Sequence, residues 1–185
     1  MHDTSIDNIA RFKARIAGFF YLITFVAGVF ALKATSGRLA VDLTADVAYV
    51  VVTVLLYSIL KPVNRNISLL AALFSFAGIA NSALTTFHRA SFPINPLVFF
   101  GFYCALIGYL IFKSTFLPRI LGVLMAFGGL GWLTFASPSL SHSLYPYNLA
   151  PGIIGEGALT LWLLVVGLNE QRWKEQDTAG RSKIF

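Results

Sequence analysis

Apolar residues gather in six runs along the chain, at about 15–33, 44–60, 67–87, 96–112, 118–136 and 149–168. Each is close to the ~20 residues a helix needs to cross a bilayer. Prolines punctuate the gaps. Pro62 and Pro118 stand in the turns before runs three and five, and Pro93 and Pro96 in the turn before run four. Proline lacks an N–H and sits best in the first turn of a helix. The pattern predicts an all-α, polytopic bundle of six transmembrane helices over residues 15–168. A polar lead-in, residues 1–14, precedes it, and a polar tail, "NEQRWKEQDTAGRSKIF" at 169–185, follows. The first run follows Arg11, Lys13 and Arg15 as a signal peptide would, but it is longer than a secretory apolar core and no clear cleavage site comes after it.

Composition agrees. Hydrophobic residues make up 57% of the 185 and charged ones 12%, against about a quarter charged in soluble domains. Six spans with short loops use up the chain and leave no room for a separate soluble domain. The net charge of +6 would raise nucleic acid as a partner in a soluble protein. Here the cations lie between apolar runs, which makes them a topology signal and the lipid bilayer the partner. With the N-terminus inside, eleven Lys and Arg are cytoplasmic, and only Lys33, Arg38 and Arg89 fall outside. Both termini are therefore expected in the cytoplasm. Tyr145, Tyr147 and Trp132 suit an outer aromatic belt and Trp173 an inner one. Tyr57 to Lys61 and Tyr109 to Lys113 end two descending runs in the same way. This reads either as a faint repeat of hairpins two–three and four–five or as the common need of any inner turn for aromatics and cations.

Gly101, Ala105 and Gly108 in run four, and Gly122, Ala126 and Gly129 in run five, recur at helical spacing. Small residues so placed let helices approach closely in lipid. They mark helix contacts within the bundle, or faces through which copies or other subunits assemble.

The candidate chemistry begins with Glu156, inside "PGIIGEGALTLWLLVVG" at 151–167. It is expected six or seven residues into its span, about 10 Å at 1.5 Å per residue. A charge at the centre of the bilayer costs about 2.5–3.5 kcal/mol on insertion scales, so this acid must face protein or water or carry a proton. Gly155 and Gly157 flank it and would admit a neighbouring helix. Run three carries a polar stripe, Gly78, Asn81, Ser82, Thr85 and His88; run two carries another, Asp42, Asp46, Tyr49, Thr53 and Tyr57. Tyr21 and Thr24 add to these from run one. Glu156, Asn81, Tyr49, Asp46, Thr85 and His88 are together expected to line one outward-opening pocket for a small polar ligand, a cation or a proton. The structural alternative has the same residues satisfy one another, with Asp42 and Asp46 capping run two.

Metal and catalytic readings are weak. Asp46, His88 and Glu156 are zinc-type ligands without a spacing motif. The single cysteine, Cys104, permits no intrachain disulfide. Ser58 and Lys61 form a Ser-x-x-Lys pair, but Lys61 before Pro62 reads better as a snorkelling anchor. No cofactor, metal site or catalytic residue is assigned.

"ARIAGFFYLITFVAGVFA", "YSILKPVNRNISLLAALF", "GYLIFKSTFLPRILGVLMAFGGLG" and "GEGALTLWLLVVGLN" together resemble the bacterial membrane proteins grouped as domain of unknown function 4386. Residues 108–124 are the most specific part, and Gly155-Glu156 falls within that family's Gly-Glu pattern in the last span. The connection between spans one and two is shorter here. Phe102-Tyr103-Cys104 stands where the family often has a His before the Cys, which argues against a metal or redox role for Cys104. The resemblance implies a six-span protein of the bacterial cytoplasmic (inner) membrane and no reaction. The expected function is non-enzymatic binding or transport of a small solute, ion or proton centred on Glu156. The alternative is an accessory or structural subunit of a membrane assembly, and an intramembrane enzyme comes last.

Overall fold

The computed structural model describes residues 9–33, 37–87 and 93–181. Helix starts follow the local chemistry. Asn64 and Asn95 accept from the backbone N–H groups of Ile67 and Leu97, at 3.0 and 2.9 Å, which satisfies donors that a helix start leaves without partners. They open α3 (Arg65–Thr86) and α4 (Pro96–Lys113). Before these come α1 (Ile9–Lys33) and α2 (Arg38–Leu60). After them α5 (Arg119–Leu133) follows Pro118, and a short α6 (Pro138–Leu144) crosses the connection to α7 (Ala150–Val165). Six helices are long and apolar enough to span a membrane, and no strand occurs among the described residues.

The elements differ from expectation at their ends. α1 begins at Ile9, so Arg11, Lys13 and Arg15 lie on the helix. α2 begins six residues before the expected start of run two. Asp42 is thus one turn inside it, pairing with Arg38 at 3.6 Å, and Asp46 is two turns inside; neither caps the helix. Part of the tail is helical too, as α8 (Glu170–Arg181). α7 ends where Gly167 takes a left-handed φ of 78°, a conformation that costs glycine little.

The six spanning helices close a ring. Each packs on its neighbour in sequence, with α6 standing aside, and α7 returns against α1. Two seams are notably regular. Between α4 and α5, a Cβ on Gly108 would lie 2.6 Å from the Gly122 carbonyl, and one on Gly122 2.6 Å from that of Gly108. Gly101 and Gly129 face each other two turns further out, at 3.0 and 2.7 Å. The α2–α3 seam is polar. Ser68 donates to the Tyr57 carbonyl at 3.3 Å, and the Thr53 and Ser75 hydroxyls lie 2.6 Å apart. Ser82, seven residues beyond Ser75, stands next to Asp46. The apolar core fills the half of the ring towards Lys61 and Lys113, where Leu56, Leu60, Ile107, Leu110, Leu121, Met125, Leu159 and Leu163 are buried.

Candidate functional site

Glu156 is the tenth of the 19 residues of the spanning stretch Tyr147–Val165. This is the middle of the span, deeper than the run boundaries suggested, because the helical stretch starts earlier and ends sooner. Tyr49 is the twelfth of the 23 residues of α2, and Tyr21 the thirteenth of 23 in Ile9–Ala31. Three helices therefore bring polar groups to one level without any local motif.

The carboxyl of Glu156 is buried, with 7% of the residue exposed. The Trp132 indole N–H donates to Oε1 at 2.6 Å, and the Tyr49 hydroxyl to Oε2 at 3.1 Å. The Tyr21 hydroxyl lies 3.3 Å from that of Tyr49. Tyr21, through Tyr49, and the buried Cys104 thiol complete the surroundings of the carboxyl. The ring of Tyr49 is held edge-on by Phe100, Tyr21 and Tyr103, at centroid distances of 4.8, 5.6 and 5.8 Å. Edge-to-face contacts of this kind fix an aromatic ring beyond simple burial. Thr160, one turn along α7, bonds back to the Glu156 carbonyl at 2.7 Å.

The side chains around the acid are hydrogen-bond donors or groups able to donate, and none is a cation. The Arg38–Asp42 ion pair lies far from this level, at the start of α2. Among the described residues, a carboxylate at position 156 has hydrogen bonds and no counter-charge.

Of the described residues expected to share one outward pocket, Tyr49 bonds Glu156. Asn81 is fully buried, but its amide donates to the Ile94 carbonyl at 2.7 Å. Thr85 is exposed and bonds back to the Asn81 carbonyl at 2.9 Å. Asp46 meets Ser82, and its Oδ2 is buried with no hydrogen-bond partner among the described residues. His88 lies outside the described residues. Local bonds take up these groups: the Asn81 amide is used at the entry of α4 and the Thr85 hydroxyl on its own helix, although the two share a helix face.

Trp132 does not join the interfacial belt that its place near a span end suggests. Its indole turns inward and lies over Gly152, where any Cβ would collide with the ring. Of the two flanking glycines, Gly155 packs against the Leu124 carbonyl, whereas Gly157 faces open space. Two grooves, of about 1460 and 360 Å³, open at the Lys61 and Lys113 end; Glu156 lines neither. No group of three His, Cys, Asp or Glu residues with metal-binding geometry occurs among the described residues.

The profile of a family described as a domain of unknown function (DUF4386) matches residues 77–167, a stretch that includes Cys104, Trp132 and Glu156. An uncharacterized protein of Archaeoglobus fulgidus is 35% identical over 125 residues, covering 64% of this chain and 76% of the relative. No solved structure matches the chain. On this profile and this relative, the chain, with six helices long and apolar enough to cross a membrane, belongs to the DUF4386 family.

Proposed function

We propose that this is a multi-pass protein of the cytoplasmic membrane, with both termini inside, in which Glu156 takes up a proton or a small cation at mid-membrane. The observation that carries the reading is a centrally placed carboxyl with two hydrogen-bond donors and, among the described residues, no cationic side chain paired with it. A bare charge there costs about 2.5–3.5 kcal/mol on insertion scales, which makes an intramembrane acid a candidate functional site. A bound proton or cation removes that cost, so occupancy of the site and stability of the ring are linked. Tyr49 suits either state, because its hydroxyl can donate to a carboxylate or accept from a carboxylic acid. The apolar side chains that fill the ring on the basic side favour access from the opposite face. The polar groups Asp46 and Ser82 lie towards that face.

The second reading, an accessory subunit, draws on α7. Gly157 there is open, beside Ile153, Ile154 and Leu161, which are 53%, 52% and 62% exposed, a surface that suits a partner helix.

The test compares the full chain with Glu156→Gln in liposomes carrying an internal pH or cation dye. Glutamine keeps the shape and cannot ionise. The variant is expected to melt like the parent and to lose at least about tenfold in flux, the scale on which a hydrogen-bonded charge acts. Equal flux in both, or no parent flux above empty liposomes, sinks the proton or cation reading and leaves the accessory one.

A further inference from the structure

We propose that the smaller groove at the basic end binds the phosphate of an anionic phospholipid, through Arg11 and Arg172. The groove, about 360 Å³, lies between the first turn of α1, the turn after α4 and the α7–α8 junction. Arg11 and Arg172 are its charged lining residues, and no carboxylate lines it. Thr115, Trp162, Val166 and Pro118 supply a hydroxyl and an apolar floor.

Position decides the class of ligand. Arg11 is two residues into one span, Val166 follows the end of another, and Pro118 precedes the start of a third. All three mark the level at which a bilayer changes from acyl chains to headgroups. The surface beside the groove is lipid-facing: Val165 is 71% exposed, Phe12 64% and Val166 41%. An occupant that places phosphate between two guanidiniums and runs its chains along Val165 and Phe12 has the shape of a phospholipid. Basic pockets between spanning helices take anionic headgroups in this way.

The guanidiniums are held in place. The Arg11 stem packs where a Cβ on Gly167 would sit 3.0 Å from its Cγ. Arg172 donates to the Thr115 carbonyl at 3.4 Å through one nitrogen, and its remaining N–H groups can reach a phosphate. Among the described residues neither arginine forms an ion pair. Arg15, one turn on from Arg11, reaches the Val165 carbonyl at 3.5 Å and adds positive charge. The adjoining groove of about 1460 Å³ shares Arg172 and adds Lys61 and Arg65, but it also sets Glu175 and Asp177 against an anion, which the smaller groove does not.

The experiment uses the full chain, delipidated in detergent, with phosphatidylglycerol and phosphatidylcholine of identical acyl chains as probes. Retained lipid is counted by native mass spectrometry. The parent is expected to retain phosphatidylglycerol over phosphatidylcholine, and inorganic phosphate is expected not to displace it. Arg11→Gln should lower retention about fivefold and Arg11→Gln with Arg172→Gln about thirtyfold, while Arg38→Gln at the far end changes nothing. Arg11 is exposed, so its single variant decides the matter even if the double one does not fold. Equal retention of the two lipids, unchanged retention in Arg11→Gln, or displacement by inorganic phosphate overturns the proposal.

Discussion

An indole N–H and a phenol O–H hold Glu156, and they are not equivalent. Trp132 can only donate, so Trp132→Phe strips Oε1 of its 2.6 Å bond and leaves a buried acceptor unpaired. Interhelical hydrogen bonds in bilayers average about 0.6 kcal/mol and reach about 1.7. Trp132→Phe is therefore expected to cost about 1–2 kcal/mol, towards the upper end because the acceptor is a carboxyl. Tyr49→Phe should cost less, since its bond is longer, at 3.1 Å. Melting curves of the two variants, alone and combined with Glu156→Leu, check this. If Trp132→Phe costs as much in the Glu156→Leu background as beside the acid, the bond is not what the indole contributes. The acid and Tyr49 were legible in the sequence because each interrupts or stripes an apolar run. Trp132 was not, because an aromatic near a span end fits a belt equally well. The signal available was Gly152, one turn before Glu156, which leaves room for a large ring beside the acid.

The helices meet through two kinds of seam. Where α4 crosses α5, glycines alternate and carbonyls come within 2.6–3.0 Å of where a Cβ would stand. No rotamer change relieves a clash with backbone, so Gly122→Ala should push the pair apart and lower the melting temperature, at a cost of about 1–3 kcal/mol. Gly157→Ala is the matched control: nothing lies within 4 Å of its position, and an alanine in an open helix interior gains about 0.5–1 kcal/mol over glycine. Thermal melts of both in one detergent check the pair, and equal shifts would show that the glycine rows do not carry the packing. These rows were readable because Gly101, Gly108, Gly122 and Gly129 repeat at heptad spacing. The α2–α3 seam was half readable. The stripe from Asp42 to Tyr57 was visible, and so was Ser82 in the stripe of run three, but Ser68 and Ser75 did not stand out as its counterpart, since serine is common in spans and single serines carry little signal. The start of α2 was hidden because Arg38 and Asp42 look like loop residues, whereas helix ends at headgroup depth accept charge freely. The two hairpins that resemble repeats thus pack by different chemistry, hydroxyls in one and glycines in the other.

For the whole molecule, ring closure makes the site. Sequence neighbours pack in order and α7 seals against α1, so the middle of each span faces a shared interior. Tyr21, Tyr49, Cys104 and Glu156 meet there, although as many as 135 positions (156 less 21) separate Tyr21 from Glu156 in the chain. No sequence pattern states that closure; the number and length of the spans did follow from hydropathy. The direction of the ring matters as much. Apolar side chains fill the half towards Lys61, Arg65, Lys113 and Arg119, and cations of this kind mark the cytoplasmic side of a span. With that side inward, the proposed access to Glu156 is from outside. Single cysteines at Asn66 and Ser143, both exposed, read the direction in a Cys104→Ala background. Asn66 is chosen over Asn64 because Asn64 caps α3. Applied to intact cells, an impermeant thiol reagent should label Ser143→Cys and spare Asn66→Cys until the membrane is opened. Labelling of Asn66→Cys alone reverses the molecule, and with it the side from which a proton or cation reaches Glu156.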